Sequence, residues 1–328
     1  MWLGAKGRIV WKLLPRIART HVGKLIMQTI TRFIIESTTA TRVNGHEFVL
    51  CAANPRTTSR LRTFATKEPD TLKWVNSFEH GSVLWDIGAN VGLYSLYAAK
   101  TRGCKVFAFE PSVFCLEFLA RNIWLNNLQT QITIVPNPLS DNTQPNLLTL
   151  NSREWGESSN SFGTTLDANG NEIHASFDYK ILGTTIDDAV SKLKIPIPQH
   201  IKIDVDGIEP MILAGGAQVL KTVTSISVEV PTYRGANETV AELLKQAGLK
   251  ISETSGNQVS LVCSKGRWWL ESLFWPPFSP FQSYPCRRLR ICDVTGSTRL
   301  PASTMESGGS GSSRTAACRR RPPKSFRA

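Results

Sequence analysis

Short apolar runs alternate with segments of helical periodicity through the middle of this chain. Strands are predicted at 83–85, 105–109, 131–135, 200–207 and 225–230, and helices at 68–79, 93–100, 112–126, 210–221 and 238–247. This alternation predicts an α/β fold of three layers, in which helices cover both faces of a mostly parallel sheet. The last two predicted strands, 249–253 and 258–263, have no helix between them. They should form an antiparallel hairpin at the sheet edge, which reverses one strand.

The segment VLWDIGANVG, residues 83–92, combines a buried strand, a carboxylate and two glycines. Its apolar start is short enough for a parallel strand that is covered on both faces. Gly88 and Gly92 allow the backbone to turn sharply and to lie close to a ligand, and a helix is predicted to begin near Gly92. The unpaired amide groups of its first turn would face the same ligand. The segment therefore predicts a loop that binds a nucleotide cofactor.

A second carboxylate, Glu110, follows the next predicted strand, 18 residues after Gly92. In a doubly wound sheet, a carboxylate at this position can accept hydrogen bonds from the two hydroxyl groups of a ribose. An NAD-dependent oxidoreductase would share this acid. Its glycine pattern is GxGxxG, however, whereas Asn90 lies between Gly88 and Gly92 here. The oxidoreductase therefore stays only as an alternative.

Two further segments are predicted around this core. Asn44-Gly45 lies between alternating residues of the range 41–50, which is a strong signal of a two-residue hairpin turn. Residues 146–182 are polar and contain short alternating runs. They are interpreted as an inserted hairpin region near the mouth of the site.

Residues 1–35 are predicted to form one or two basic amphipathic helices, broken near Pro15. The apolar positions with helical spacing are Val22, Leu25, Ile26, Ile30 and Phe33. Three explanations stay open: packing of this apolar stripe on the domain, an interfacial helix attracted to anionic lipid, or a transit peptide.

The net charge of +12 is confined to the two ends of the chain. Residues 1–35 carry seven Lys/Arg and no Asp/Glu, and residues 265–328 carry twelve and three. The middle is slightly acidic, with 19 basic and 23 acidic residues, so no specific nucleic-acid partner is expected. Residues 265–328 lack periodicity and are predicted to be a disordered basic tail, or the misread end of a gene.

Cysteine usage and hydropathy bear on the location of the protein. The seven cysteines are odd in number and include no CxxC pair, so neither a disulfide framework nor a zinc site is expected. Free thiols at core positions fit a reducing compartment. No apolar run approaches the length of a membrane span, and no signal peptide is expected. We therefore predict a cytoplasmic protein, with possible peripheral membrane contact through residues 1–35.

Six ordered motifs between about residues 40 and 263 carry a family resemblance. They are EPDTLKWVNSFEHGSVLWDIGANVGLYSLYAAK, FAFEPS, PLSD, TTIDDAV, IKIDVDGIEPMILAGG and SISVEV. Together they resemble the FkbM family of S-adenosylmethionine-dependent methyltransferases. The resemblance implies a class I methyltransferase, Rossmann-like fold, with a seven-stranded, mostly parallel sheet and one antiparallel strand. It implies one domain over residues 36–264, with its cofactor core from about residue 68.

The resemblance also implies the roles of individual residues. The loop beside the methionine portion of the cofactor would contain Asp86, Gly88, Asn90 and Gly92. Glu110 would hold the ribose, Asp141 would accept a hydrogen bond from the adenine amino group, and Asp204 would lie on the floor of the site. The sequence departs from the family pattern at Asp206, where Glu is usual, and at Ile208, where an aromatic residue is common.

Three acids are candidates for catalysis. Asp204 and Asp206, two apart at a predicted strand end, should point the same way and could act as a base. Asp206 has an alternative role in a helix-capping box with Glu209. Glu229, at the end of the fifth strand, could contact the acceptor or be structural. No metal is expected, because no histidine has a suitable spacing and two acids alone make a weak site.

The leading hypothesis is a methyltransferase that methylates a hydroxyl oxygen of a sugar, glycan or small metabolite. An NAD-dependent oxidoreductase and a non-catalytic, S-adenosylmethionine-binding or degenerate protein are the alternatives. The sequence identifies neither the acceptor nor the oligomeric state, because acceptor pockets are built from variable loops.

Overall fold

A computed structural model describes residues 15, 18–158, 160–167, 169–173, 175–230, 235–255 and 260–264. The predicted tail at 265–328 and the first predicted helix before Pro15 lie outside the described residues.

The described residues form eight α-helices and twelve strands. The helices are α1 (His21–Glu36), α2 (Pro55–Lys67), α3 (Pro69–Asn76), α4 (Leu93–Arg102), α5 (Val113–Leu125), α6 (Ile186–Ser191), α7 (Glu209–Ala214) and α8 (Ala236–Gln246). The strands are β1 (Thr38–Val43), β2 (His46–Cys51), β3 (Val83–Ile87), β4 (Lys105–Phe109), β5 (Ile132–Val135), β6 (Pro145–Leu150), β7 (Asn160–Phe162), β8 (Phe177–Leu182), β9 (His200–Ile203), β10 (Ser225–Glu229), β11 (Lys250–Ser255) and β12 (Ser260–Ser264).

Seven strands form the central sheet in the order β11-β12-β10-β9-β3-β4-β5. The strands from β10 to β5 are parallel, and β12 is antiparallel to both of its neighbours. The predicted seven-stranded, mostly parallel sheet with one reversed strand is therefore confirmed. It is the sheet of the class I methyltransferase fold.

Helices cover both faces of the sheet, because side chains of the central strands alternate between two apolar layers. In β3, Trp85 and Ile87 belong to one buried cluster and Leu84 to the other. The Trp74 indole of α3 also donates a hydrogen bond of 2.9 Å to Ser225 Oγ in β10. The parallel strands consequently end at one edge between two covered faces, where ligands bind in sheets of this kind.

The predicted hairpin is confirmed in β1 and β2, which pair antiparallel around Asn44 and Gly45. Both turn residues have positive φ angles, 48° and 82°, as a two-residue turn of this type requires.

The insertion is a separate three-stranded antiparallel sheet in the order β7-β6-β8. Its strands hold 14 of the residues 146–182 and pair antiparallel, an arrangement of the kind that the hairpin interpretation describes.

Helix α2 was not predicted. It begins with Pro55 after an Asn54–Thr57 capping box, in which the Asn54 side chain accepts a hydrogen bond from the Thr57 amide. This start signal was present in the sequence. The helix was missed because only Thr57, Leu61 and Phe64 of its thirteen residues are buried, which leaves a weak apolar period.

Two helices expose large apolar side chains. The helical spacing of residues 112–126 predicts Trp124 on the buried side of α5, but 69% of its surface is exposed. Of the three explanations left open for the apolar stripe of α1, packing on the domain does not fit the structure, because the large apolar side chains of the helix are exposed: Val22, Leu25, Ile26, Ile30, Phe33 and Ile34. Among the described helices, none has the length and hydropathy needed to cross a bilayer.

Candidate active site

A cavity of about 210 Å³ opens at the carboxyl ends of the five parallel strands. Its polar wall comes from the segments that follow β3, β4 and β9 and from the end of β10. These residues are Gly88, Asn90, Glu110, Asp204, Asp206 and Glu229. Six of the nine residues predicted for the site are therefore brought together around one cavity.

The loop after β3 lies directly on the turn after β9. Gly88 has a φ of 82°, and a Cβ atom at this position would lie 1.9 Å from the carbonyl oxygen of Asp204. The amides of Gly88 and Ala89 donate hydrogen bonds to the Phe109 carbonyl of β4. Only glycine satisfies both the backbone conformation and this close approach.

Glu110 is held in place by two backbone amides. Its Oε2 accepts from the Asn90 amide and its Oε1 from the Ser112 amide, each at 2.8 Å. Burial raises the pKa of Glu110 to about 7, although the two amides favour the charged form. Each carboxylate oxygen keeps a further lone pair, so Glu110 is a preoriented acceptor for hydroxyl donors in the cavity.

Asn90 also lines the cavity, with an acceptor oxygen that has no hydrogen-bond partner in the described part of the chain. Its Nδ2 donates to the Glu157 carbonyl at 3.0 Å, which orients the amide, and its buried Oδ1 has no partner among the described residues. Buried polar atoms are nearly always hydrogen-bonded in folded proteins. An amino or hydroxyl donor on a ligand would satisfy this oxygen.

Asp204, which lines the cavity, forms an ion pair with a lysine buried beside it. Lys202 Nζ lies 2.6 Å from Asp204 Oδ2, and only 5% of the Lys202 side chain is exposed. Burial works against the charge of both partners. The Lys202 ammonium nevertheless lowers the pKa of Asp204, and Asp204, Glu68 and Asp86 together raise the pKa of Lys202. Asp204 is consequently ionised at neutral pH.

Glu229 is coupled to this pair through a hydrogen bond with Asp204. Burial and the Asp204 charge raise the pKa of Glu229. Glu229 is therefore the protonated partner of the two carboxyl groups.

Asp206 lies on a turn and not on a strand. β9 ends at Ile203, and Asp206 has a φ of 63°, so the prediction that Asp204 and Asp206 point the same way from one strand is wrong. Both nevertheless line the cavity. Burial, followed by the Asp204 charge, raises the pKa of Asp206 to about 6.

The predicted capping box between Asp206 and Glu209 is also wrong. Ile208 is the N-cap residue of α7 and makes no side-chain capping bond. Instead, the buried Glu209 carboxylate accepts hydrogen bonds from the Val205 and Gly207 amides. Glu209 thus stabilises the turn through these backbone amides. The Asp206 carboxylate lines the cavity and has no hydrogen-bond partner among the described residues.

Three predicted cofactor residues do not line the cavity. Asp86 is 1% exposed and lies behind the loop, where its Oδ2 accepts from Ser95 Oγ at 2.6 Å. Gly92 is the N-cap of α4. Asp141 is exposed and accepts from Asn142 Nδ2 at 2.8 Å. The wall after β5 is formed by three earlier residues, 137–139.

Two basic residues of the unpredicted helix α2, Arg60 and Lys67, also line the cavity. The guanidinium of Arg60 donates to the Gly156 carbonyl at 3.0 Å, while its buried Nε has no partner among the described residues. The insertion contributes further wall residues that the sequence did not single out: Leu148, Ser158, Asn160 and Phe162. The insertion therefore borders the site, as its position near the mouth had suggested.

Glu68, Asp204 and Glu229 place ligand oxygens within 4.8 Å of one another, close enough for a divalent ion. Carboxylates are suitable ligands for Mg²⁺ or Ca²⁺. The Lys202 ammonium already supplies a positive charge to the central carboxylate of this group. The expectation that the site needs no metal stays a prediction.

The chain matches a family model and resembles several known methyltransferases. Residues 86–250, half of the chain, match the family model described as the Methyltransferase FkbM domain. The hexuronic acid methyltransferase AglP of Haloferax volcanii is 25% identical over 206 residues, covering 61% of this chain and 76% of the relative. The methyltransferase sdnD of Sordaria araneosa is 25% identical over 211 residues, covering 55% and 80%. The structure of M. jannaschii TYW2 in complex with AdoMet is 13% identical, with a TM-score of 0.37 and coverage of 70% and 84%.

Proposed function

Because the chain belongs to the FkbM family of S-adenosylmethionine-dependent methyltransferases, we propose that it methylates a hydroxyl oxygen of a sugar, free or within a glycan. A hydroxyl group on another small metabolite is the second candidate acceptor. The observation that carries the proposal is the Asp206 carboxylate, which faces the cavity with a pKa suited to accepting a hydroxyl proton. The sugar acceptor is supported by the relative named as a hexuronic acid methyltransferase. Family membership argues against the NAD-dependent oxidoreductase.

The wall residues fit the cofactor of this family. Glu110 offers preoriented carboxylate oxygens to the ribose hydroxyls, and the unpartnered Asn90 Oδ1 offers an acceptor to the amino group of the methionine portion. Gly88 provides backbone that no side chain covers. When bound, S-adenosylmethionine supplies a methyl group that its sulfonium centre already activates.

Methylation of a hydroxyl oxygen releases the hydroxyl proton, and we assign Asp206 as the group that accepts it. A base is most effective when its pKa lies near the working pH, and Asp206, at about 6, meets this condition. Asp204 is a poorer base because Lys202 lowers its pKa. Glu229 already holds a proton at neutral pH because its pKa is raised.

Lys202, Asp204 and Glu229 then have a supporting role. The buried ion pair fixes one negative charge beside Asp206, and that charge contributes to the raised pKa of Asp206. The network of Lys202, Asp204 and Glu229 is therefore expected to set the pKa of Asp206.

Glu110→Gln is expected to weaken S-adenosylmethionine binding by about tenfold or more, because a charge-assisted hydrogen bond contributes roughly 1.5–3 kcal/mol. In the unmodified protein the affinity should rise as the pH rises through about 7, since ionised Glu110 is the better acceptor. The substitution should flatten this dependence. Calorimetric titrations between about pH 5.5 and 8.5, roughly one and a half units on either side of that pKa, measure both effects.

Glu117→Gln is the matched control for Glu110→Gln. Glu117 lies on α5 and pairs with Arg121 at 2.9 Å, with 39% of its side chain exposed. Its replacement should leave the affinity and its pH dependence unchanged. Equal losses in both variants would contradict the assignment of Glu110 to the ribose.

The acceptor class is tested by transfer of a labelled methyl group. Purified protein with S-[methyl-³H]adenosylmethionine should label glycosides that contain hexuronic acid or neutral sugars, and base-stable label in the product indicates an ether rather than an ester. Label recovered as an ester would contradict methylation of a hydroxyl group. Cofactor binding without transfer to any sugar or metabolite would favour the non-catalytic alternative.

A further inference from the structure

Helix α1 presents a wide apolar face to solvent. Val22, Leu25 and Phe33 are 68%, 64% and 75% exposed, and the other large apolar residues of the face are Ile26, Ile30 and Ile34. We propose that this face docks the protein on an anionic lipid surface. The proposal is independent of the proposed function, because none of these residues lines the cavity at the strand ends.

The opposite side of α1 faces the domain. Met27 and Ile35 are half-buried and, with Thr31, border a cleft whose far wall includes Arg121 of α5. The helix therefore directs its mixed side inward and its apolar side outward. This is the reverse of the usual arrangement, in which the apolar stripe of a surface helix faces the core.

The charge of the segment favours an anionic partner. Residues 1–35 contain seven Lys/Arg and no Asp/Glu. On α1 itself lie Lys24 and Arg32, of which Arg32 pairs at 2.9 Å with Glu36, the last residue of the helix. An amphipathic helix with basic residues beside an apolar face binds at the lipid interface, with attraction to anionic headgroups. A second copy of the chain fits less well as the occupant, because it would bring two basic segments together.

A second exposed apolar group lies on α5, the helix whose Arg121 borders the cleft beside α1. Trp124 of α5 is 69% exposed and lies one turn beyond Arg121, so both belong to the same side of that helix. Tryptophan is enriched at membrane interfaces, where its ring sits at the headgroup level. Its exposure, which contradicts the prediction that it is buried, is accounted for if α1 and this side of α5 meet the same lipid surface.

Flotation of the full-length protein with lipid vesicles tests the proposal. The protein should float with vesicles of phosphatidylcholine containing about one third phosphatidylglycerol and stay at the bottom with phosphatidylcholine alone. Raising the salt to about 0.5 M should weaken the binding to anionic vesicles, because salt screens exposed charges. Leu25→Ser/Phe33→Ser should reduce binding by about tenfold or more, since two apolar anchors are lost.

Leu193→Ser/Ile197→Ser is the matched control, because it removes two exposed apolar side chains from the loop before β9, at 49% and 51% exposure. It should float like the unmodified protein, and thermal unfolding should show that both double variants are folded. The proposal is overturned if the unmodified protein does not bind anionic vesicles, or if the two double variants bind equally. A dimer that Leu25→Ser/Phe33→Ser converts to monomer, without vesicle binding, would identify a second copy as the occupant instead.

Discussion

Gly88→Ala is expected to abolish S-adenosylmethionine binding and to lower the free energy of unfolding by about 2–5 kcal/mol. Two penalties combine at this position. The φ of 82° is unfavourable for any residue with a Cβ atom, and that atom would lie 1.9 Å from the Asp204 carbonyl oxygen. The obstacle is backbone and not the end of a flexible side chain, so the loop after β3 and the turn after β9 must move apart. Both segments line the cavity.

Gly81→Ala separates the two penalties. Gly81 has a φ of 80°, almost the same as Gly88, but a Cβ atom there would meet nothing within 4 Å. Its replacement should cost only about 1–2 kcal/mol and leave cofactor binding intact. Urea unfolding and calorimetry of both variants measure the difference. If the two variants lose equal stability and both bind cofactor, the contact between the two turns does not shape the site.

The sequence predicts the sheet well because its strands follow local rules. Strands β3, β4, β9 and β10 are buried on both faces over most of their length, so their short strand patterns do not depend on distant contacts. Because parallel strands share one carboxyl edge, acids that follow different strands could be placed together before the structure was known. Glu110, Asp204 and Glu229 meet at the cavity for this reason.

The errors arise where the chain leaves a strand. The two-residue period that aligned Asp206 with Asp204 applies only while the strand continues, and β9 ends at Ile203. The same limit applies to Asp141, because residues 137–139 already form the wall after β5. Distances along the sequence do not determine which residue of a turn faces a cavity.

Helices α1 and α2 show a second limit: an apolar pattern does not state which surface a helix packs against. The apolar period of α1 identified an amphipathic helix, but nothing in that period states whether the apolar side meets the domain or another surface. For α2, the capping signal at Asn54 marked a start, whereas the weak apolar period hid the helix that supplies Arg60 to the cavity. The orientation of the apolar face of α1 and the position of α2 at the cavity both depend on tertiary contacts.

Asp206→Asn is expected to lower kcat by about 10²–10⁴-fold, the usual contribution of a general base. Cofactor affinity should be unchanged, because the substitution keeps the size of a side chain that only the acceptor is proposed to meet. In the unmodified enzyme, kcat/KM should fall as the pH drops through about 6, where Asp206 takes up a proton and can no longer accept one from the acceptor. Asp206→Asn should lack this acidic limb. A glycoside that accepts label in the transfer assay serves as substrate.

Two neighbouring variants show whether Asp206 or the charge network is the base. Asp204→Asn removes a charge that helps to raise the pKa of Asp206, so the acidic limb should move to lower pH. Glu229→Gln replaces a carboxyl group that is already protonated at neutral pH, so activity at pH 7 should change little, within about threefold. If Glu229→Gln instead abolishes transfer while Asp206→Asn does not, Glu229 is the base. Glu229 would then have to lose its proton when the acceptor binds, although burial and the Asp204 charge raise its pKa, because a base must lose its proton before it can accept another.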